Sequence, residues 1–223
     1  MIIHLVRHGN TFDKTHPDPA QRTPVWCGAR TNLPLVPSGV VQAVELGQML
    51  KAAEVTYDKI YAGPLIRTQQ TAQIIAHIIG TPLDQIVTTD NLLEMDYGSW
   101  EGVPDKETKE KFPAEYEAWN ENRIAPAGAG FTPAETLRAN VMRDVDATIA
   151  SGEARVLKVT SNGLMSYYAT LAGDDTYEQM RIDKQLKVGT GAICALEIDG
   201  DKKARITLWN KKPADAADHF KGA

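Results

Sequence analysis

Arg7 and His8 are the first side chains in the chain whose types and position point to chemistry. They follow an apolar, β-branched run from Ile2 to Val6, which predicts a buried strand. Gly9 then allows the backbone to turn sharply, and the carboxyl ends of strands are where open α/β sheets bind ligands. A histidine beside an arginine at such a point indicates a nucleophile next to an anion clamp. The alternative is a strand end with two solvated side chains.

Arg67 and Glu94 follow later strands in a similar way. Arg67 falls in the first turn of a helix predicted from about residue 65 to residue 79. The helix dipole disfavours a cation there, so we expect its guanidinium to face an anion. Glu94 lies in an irregular segment, and a carboxyl group beside an anion site can act as a general acid. The alternatives are a solvated arginine and an exposed loop acid, which is the usual position of glutamate.

The elements that must position these side chains alternate between strands and helices. Such alternation predicts an α/β fold, a three-layer αβα sandwich with a mainly parallel central sheet. The turn at Asp199-Gly200 predicts a hairpin that adds an antiparallel edge strand. We expect a single domain over residues 1–223. The predicted strands span residues 2–6, 59–62, 86–88, 155–160, 192–198 and 204–209, and the predicted helices residues 39–50, 65–79, 132–150, 164–171 and 176–186.

Local signals mark two helix starts and three irregular segments. Ser38 is expected to cap the first helix, and Thr132 to Glu135 form a capping box with proline at the first helical position. Residues 11–37 predict a long surface loop, and such loops are often functional. Residues 103–131 predict a helical lid insertion, and residues 211–223 a loose tail.

Composition argues against several classes of protein. The 223 residues carry a formal net charge of −5, so the basic surplus of a general nucleic-acid binder is missing. Cys27 and Cys194 are too few for a disulfide framework and are expected to be reduced thiols of a cytoplasmic protein. We expect no membrane span and no signal peptide. No metal-ligand or nucleotide-binding motif is present, so no metal or cofactor is expected.

Taken together, these segments resemble the histidine phosphatase superfamily, also called the phosphoglycerate mutase-like family. The resemblance is carried by residues 5–11, the helix start around Arg67, Glu94 with residues 97–102, and residues 32–43. It implies a phosphatase that hydrolyses a phosphomonoester through a phosphohistidine intermediate. Its partner would be phosphate or a small phosphorylated substrate, with no nucleic acid or membrane, and the oligomeric state is left open.

The resemblance also implies roles for individual residues. His8 would be the nucleophile, with its second ring nitrogen held as N–H by a backbone carbonyl. Arg7 and Arg67 would clamp the phosphate oxygens. Glu94 would protonate the leaving oxygen and then activate water. Asn10, which stands where the family more often has Glu or Gln, would also contact the phosphate.

Asn162 is the main departure from the family pattern, which has a second histidine after the corresponding strand. An asparagine amide can donate a hydrogen bond to the phosphoryl group but brings no positive charge. Loss of one transition-state donor typically costs about 10²–10³ in rate, so phosphoryl transfer is expected to be impaired or specialised, with binding largely intact. The alternative is a phosphate-binding pseudoenzyme that acts as a sensor or interaction module.

The predicted lid adds four candidate substrate contacts. Lys109, Lys111, Trp119 and Arg123 either meet the non-phosphate part of the substrate or belong to an ordinary amphipathic surface helix. A mutase is the less favoured interpretation, because mutases that resemble this chain usually carry longer insertions.

Overall fold

A six-stranded sheet forms the centre of the molecule. The structure, a computed structural model, describes residues 1–221. In chain order the strands are β1 (Ile2–Arg7), β2 (Lys59–Ala62), β3 (Ile86–Thr88), β4 (Arg155–Thr160), β5 (Ile193–Ile198) and β6 (Ala204–Lys211). Across the sheet the order is β3-β2-β4-β1-β5-β6. β1 to β4 are parallel, whereas β5 is antiparallel to β1 and β6.

Helices cover both faces of this sheet. In chain order they are α1 (Pro37–Ala52), α2 (Ile66–Ile79), α3 (Asp105–Lys111), α4 (Pro113–Asn122), α5 (Ala134–Ser151), α6 (Asn162–Tyr168), α7 (Asp174–Ile182) and α8 (Pro213–Ala216). One apolar cluster joins α1, α2 and α8 to the sheet, and a second joins α5 and α6 to its other face. The three-layer αβα sandwich predicted from the sequence is therefore confirmed. Over residues 1–221, the helices are all too short or too polar to cross a bilayer.

β1 is buried on both faces, and its side chains alternate between the two clusters. Ile3 and Leu5 contact the side of α5 and α6, whereas Val6 contacts the side of α1 and α2. Strands buried on both faces are continuous apolar runs in sequence, which is why residues 2–6 predict this strand correctly. Arg7 pairs with Thr160 at the ends of β1 and β4, so both strands deliver their following residues to the same edge.

Aromatic side chains attach the segment 103–131 to the rest of the molecule. This segment contains α3 and α4. The ring centroids of Trp119 and Phe131 lie 5.1 Å apart, those of Tyr97 and Phe131 5.5 Å, and those of Trp26 and Tyr97 5.2 Å, all edge to face. Such contacts are favourable, and they hold α4 next to the long loop that precedes α1.

Two helix starts differ from the sequence prediction. α1 begins at Pro37, without a side-chain cap from Ser38, because proline itself suits a first helical position where no N–H is needed. The capping box expected at α5 is absent, and the helix begins at Ala134. The hydroxyl of Thr132 instead accepts a hydrogen bond from the backbone N–H of Asp96 at 2.8 Å, so a tertiary partner replaces the local one.

The segment after residue 211 is packed against the domain rather than loose. α8 and a 3-10 turn follow β6, and Phe220 is fully buried, with its ring centroid 4.9 Å from that of His4. The prediction of a loose tail is therefore wrong for the described part, and residues 222 and 223 lie outside it. α7 ends at Ile182, before the predicted residue 186, and Leu186 is buried in the loop that follows.

Candidate active site

A cleft of about 940 Å³ opens at the carboxyl edge of the parallel strands. β1 and β4 lead directly into it, and the loop after β3 forms part of its wall. Segments far apart in the sequence therefore meet in one place. The predicted site residues that line the cleft are Arg7, His8, Asn10, Glu94 and Asn162.

His8 follows β1 and is almost fully buried, with 5% of its surface exposed. Its Nδ1 lies 2.7 Å from the carbonyl oxygen of Gly9. Because a carbonyl can only accept, Nδ1 carries the ring proton. Nε2 keeps the lone pair and accepts a hydrogen bond from Nε of Arg67 at 3.2 Å. Burial, followed by the charges of Arg67 and Arg7, lowers the pKa of His8 well below 6.5, so the ring is neutral near pH 7.

Gly9, directly after His8, lies in close backbone contact with Gly39 of α1. A Cβ atom on Gly9 would lie 2.3 Å from the carbonyl oxygen of Gly39, and one on Gly39 would lie 2.2 Å from that of Asn10. Gly9 does not have a positive φ. Close backbone approach, rather than the sharp turn expected from the sequence, therefore requires glycine here and seats the loop on the first turn of α1.

Arg67 is fully buried in the first turn of α2 and lies behind His8. Its Nη1 donates to the carbonyl of Thr31 at 2.6 Å, and its Nη2 donates to the carbonyls of Cys27 and Gly28 at 3.2 Å each. These carbonyls belong to the loop before α1, so Arg67 ties that loop to the histidine. Arg67 itself does not line the cleft: its Nε contacts His8, and its Nη1 and Nη2 groups donate to the backbone.

Arg7 ends β1, and one residue of a distant loop holds it. Its Nη1 donates to the carbonyl of Val188 at 2.6 Å. Its Nε is buried and has no hydrogen-bond partner among residues 1–221. Burial lowers the pKa of Arg7, and the neighbouring Glu94 carboxylate opposes that shift. Arg7 therefore brings a positive charge to the cleft wall, whereas its unpartnered Nε is buried.

Glu94 is buried, and backbone N–H groups surround its carboxyl group. Oε1 accepts from Met95 at 2.8 Å and Leu164 at 2.9 Å, and Oε2 accepts from Gly163 at 2.9 Å. Gly163 and Leu164 lie in the first turn of α6, where a negative charge is favourable. A Cβ atom on Gly163 would lie 2.4 Å from Oε1. The carboxyl group is therefore held in one orientation, which depends on glycine at this position.

Asn162 is the first residue of α6 and also contacts Val188. Its Oδ1 accepts from the backbone N–H of Val188 at 2.7 Å. Since an N–H can only donate, this contact fixes which end of the amide is oxygen. Within the described chain, Nδ2 makes no hydrogen bond to protein, so the NH₂ group is free to donate in the cleft that Asn162 lines.

Asn10 lines the cleft, but its amide is engaged at both ends. Its Nδ2 donates to the hydroxyl of Ser38 at 3.2 Å, and its Oδ1 accepts from the hydroxyl of Thr190. Its backbone N–H donates to Oε1 of Gln42 at 2.9 Å. Asn10 thus joins the loop after His8 to α1 and to the loop before β5.

Two of the four lid residues predicted to contact the substrate line the cleft. Trp119 and Arg123 line it, and the guanidinium lies 5.3 Å from the Trp119 ring. Lys109 and Lys111, also predicted as substrate contacts, do not line the cleft: the Lys111 ammonium instead pairs with Glu107 at 2.6 Å. Trp119 and Arg123 therefore lie at the cleft as predicted, whereas Lys109 and Lys111 lie on the surface of α3.

Cations outside the predicted site also line the mouth. Arg181 comes from α7, and Lys184 and Lys187 come from the loop that follows. No motif marks them, and only their clustering after residue 180 is visible in the sequence. Over residues 1–221, no three histidine, cysteine or carboxylate side chains are grouped as a metal ion would need.

Residues 3–212, which carry every part of this cleft described above, match the profile of the histidine phosphatase superfamily, branch 1. The chain belongs to the histidine phosphatase superfamily. An uncharacterized phosphatase, PhoE, of Bacillus subtilis is 35% identical to it over 109 residues, which span 49% of this chain and 50% of that protein. A 2,3-bisphosphoglycerate-dependent phosphoglycerate mutase of Parvibaculum lavamentivorans is 26% identical over 203 residues, spanning 89% and 90% of the two chains.

Solved histidine phosphatases share the fold over almost the whole chain. A mycobacterial glucosyl-3-phosphoglycerate phosphatase superimposes with a TM-score of 0.77 at 21% identity, covering 95% of this chain and 99% of the other. The α-ribazole phosphatase of Shigella flexneri superimposes with a TM-score of 0.72 at 23% identity, covering 95% and 97%. At such identities these superpositions establish the architecture alone.

Proposed function

We propose that the protein is a phosphatase that hydrolyses a small phosphomonoester through a phosphohistidine on His8. The observation that carries this proposal is the state of the His8 ring, in which Nδ1 donates to Gly9 and Nε2 keeps its lone pair beside Arg67. A neutral imidazole with a fixed tautomer is what a nitrogen nucleophile requires. Membership of a superfamily with phosphatase relatives supports the same reaction class.

In the first step, the Nε2 lone pair of His8 forms a bond to phosphorus while the ester P–O bond breaks. The leaving oxygen takes its proton from the carboxylic acid form of Glu94. The Arg67 Nε–H, which donates to Nε2 in the free protein, keeps its proton and donates its hydrogen bond to a phosphoryl oxygen once the Nε2 lone pair is used in the N–P bond. Arg7, which lines the cleft, supplies a second positive charge.

In the second step, water attacks the phosphorus of the phosphohistidine. The Glu94 carboxylate accepts a proton from that water, the P–N bond breaks, and its electron pair returns to Nε2 of His8. Inorganic phosphate leaves, and both residues recover their starting states. The backbone N–H groups around Glu94 support the role of base in this step, because they favour the carboxylate and keep it in one orientation.

The rest of the substrate would meet the mouth of the cleft. Arg123 offers a guanidinium there, 5.3 Å from the ring of Trp119, which is itself 4% exposed and supports the wall from behind. The cleft volume of about 940 Å³ is in the range of small-molecule sites.

Asn162 favours a second candidate function, a phosphate-binding pseudoenzyme. Its amide can donate one or two hydrogen bonds to a phosphoryl group but carries no charge to balance the transition state. Such a protein would bind phosphate at Arg7 and Asn162 without turnover.

Phosphate release from p-nitrophenyl phosphate by the unmodified protein and by His8→Ala tests the main proposal. We expect turnover in the unmodified protein and background release in the variant, because the nucleophile is lost. Rapid quenching with radiolabelled substrate should leave acid-labile label on the unmodified protein and none on His8→Ala. Equal rates in the two proteins would contradict the proposal.

An Asn162→His variant separates the two candidate functions. In an enzyme limited by a missing donor, it should raise kcat by up to about 10²-fold while phosphate affinity changes little. Calorimetry with inorganic phosphate reports binding independently of turnover. Clear phosphate binding by an unmodified protein that shows no turnover would favour the pseudoenzyme.

A further inference from the structure

We propose that Asn210, on the edge strand β6, is a positioning residue that sets the orientation of Arg7 in the cleft. It acts through residues 185–190, which are part of the loop between α7 and β5. We call this segment the strap. This inference rests on the proposed function, because it concerns how the phosphate-binding groups of that same site are held.

One peptide unit of the strap connects Asn210 to Arg7. The carbonyl of Val188 accepts from Nη1 of Arg7 at 2.6 Å. The N–H of the same peptide bond, on Gly189, donates to Oδ1 of Asn210 at 2.8 Å. A peptide unit is planar, and its C=O and N–H point in opposite directions. Asn210 and Arg7 therefore bond to opposite edges of the same planar peptide unit. The hydrogen bond from this unit to Asn210 fixes the direction of the carbonyl group that holds Arg7.

The same strap residue also orients Asn162. The backbone N–H of Val188 donates to Oδ1 of Asn162 at 2.7 Å, and Val188 is fully buried. Both groups proposed to donate to phosphate from this side of the cleft thus depend on one residue. Rotation about the flexible backbone of Gly189 would move the acceptor of Arg7.

The backbone of Asn210 is adapted to this contact. Its φ is 54°, a left-handed conformation that asparagine tolerates better than most residues. The pairing of β5 with β6 is irregular at this point, between Ile193 and Ala195. Such bulges commonly re-aim a side chain. Asn210 is exposed, so its side chain contributes no core packing. Its hydrogen bond with Gly189 of the strap explains both the left-handed backbone and the irregular strand pairing.

Asn210→Gly and Asn210→Asp form the decisive pair of variants. Glycine keeps the left-handed backbone and removes the acceptor, whereas aspartate keeps both the backbone preference and the acceptor oxygen. We expect Asn210→Gly to lower kcat/KM about 10-fold, the effect of losing about one net hydrogen bond. Asn210→Asp should stay within about 2-fold of the unmodified protein, since the same acceptor contact remains.

A double-mutant cycle with Arg7→Lys distinguishes positioning from general loosening of the fold. If Asn210 acts through Arg7, then Asn210→Gly should cause little further loss in an Arg7→Lys background. Lys202→Gly is the matched control, because it replaces another exposed left-handed residue in the β5–β6 hairpin. It should leave kcat/KM unchanged, and thermal unfolding should show all variants folded.

The readouts separate this inference from the proposed function. If the unmodified protein has no turnover, the proposed function fails, and the inference is tested by the affinity for inorganic phosphate, which Asn210→Gly should weaken and Asn210→Asp should retain. An unchanged kcat/KM and unchanged phosphate affinity in Asn210→Gly would overturn the inference alone. Losses that multiply independently in the cycle would also overturn it, because Asn210 would then not act through Arg7.

Discussion

At the scale of single residues, Gly163 determines where the carboxyl group of Glu94 can lie. The carboxylate packs so closely on the start of α6 that a Cβ atom at Gly163 would meet Oε1 at 2.4 Å and Cγ of Met95 at 2.7 Å. Both contacts are shorter than real Cβ atoms make, so a larger residue must displace Glu94 or the helix. The position of the proposed acid is therefore encoded partly by a residue with no functional group.

Gly163→Ala is expected to impair proton donation to the leaving group more than phosphate binding. General acid catalysis contributes about 10²–10⁴-fold, so we expect kcat for an alkyl phosphate to fall by about 10²-fold. The loss should be much smaller for p-nitrophenyl phosphate, whose leaving group needs little protonation. Steady-state kinetics on both substrates measure the ratio.

Gly200→Ala is the control for this variant, because nothing lies within 4 Å of a Cβ atom there. It should leave both substrates unaffected. Equal losses on the alkyl and aryl substrates in Gly163→Ala would count against the role proposed for Glu94.

The residue scale is also where sequence reasoning about the site succeeds and fails. Arg7, His8 and Asn162 could be grouped in advance, because each lies at or just after the end of a strand and parallel strands share one edge. The engagement of Arg67 by three backbone carbonyls could not be predicted, since carbonyl positions leave no trace in residue types. The same holds for Val188, whose contribution to the site is entirely through its backbone.

At the scale of elements, a buried ion pair joins α5 to the central strand β4. The Lys158 ammonium pairs with the Asp144 carboxylate, which also accepts from the Tyr168 hydroxyl at 2.6 Å. Lys158 further donates to the hydroxyl of Thr148 at 2.6 Å. Burial lowers the pKa of Lys158, and the Asp144 charge opposes that shift. Each charge is therefore tolerable only while the other is present.

Removing one partner of this pair should destabilise the fold far more than removing both. Asp144→Ala leaves the Lys158 charge buried alone, and such changes cost about 3–5 kcal/mol in the free energy of unfolding. Replacing both with apolar residues, as in Asp144→Leu with Lys158→Met, should be close to neutral. Urea unfolding of Asp144→Ala, Lys158→Met and the double variant gives the three free energies of unfolding to compare. A double variant as unstable as Asp144→Ala would show that the pair itself stabilises the fold.

The elements show which sequence signals are dependable. The boundaries of β2, β3 and β4 agree with the prediction because apolar runs between turn residues depend little on distant partners. The helix caps at Ser38 and Thr132 fail because a hydroxyl bonds to whichever donor the fold brings near, here the N–H of Asp96 in the case of Thr132. The packing of α8 and Phe220 was missed because four helical residues carry too little periodicity to detect.

At the scale of the whole molecule, the first strand and the C-terminal segment close over a buried histidine. Nδ1 of His4 lies 2.8 Å from the hydroxyl of Tyr57, and the His4 ring packs edge to face on Phe220. Burial lowers the pKa of His4 from 6.5 to about 3, and the charge of Arg155 adds to the shift. The folded protein therefore keeps this imidazole neutral where the unfolded chain would protonate it.

This histidine should make the fold less stable in mild acid. Below pH 6.5 the unfolded state binds a proton at His4 that the folded state does not bind until about pH 3. The stability contribution is thus complete above pH 6.5 and is lost as the pH falls towards 3. Between pH 7 and pH 5 the expected loss is about 2 kcal/mol from this group.

His4→Gln should reduce the difference in unfolding free energy between pH 7 and pH 5 by about that amount. Urea unfolding at the two pH values measures it. The exposed His77→Gln on α2 controls for the loss of a histidine as such. An unchanged pH dependence in His4→Gln would mean that His4 is protonated in the folded protein.

The central place of β1 has a consequence for how the molecule is made. Residues 2–7 pair with residues 155–160 on one side, and residues 2–6 pair with residues 193–197 on the other. On the ribosome this apolar stretch emerges before both partner strands and finds its hydrogen-bonding partners only after the intervening residues have been translated. Long-range pairings of this kind slow folding and leave aggregation-prone intermediates with exposed apolar surface. The apolar side chains of β1 therefore stay open to non-native contacts until both partner strands have been synthesised.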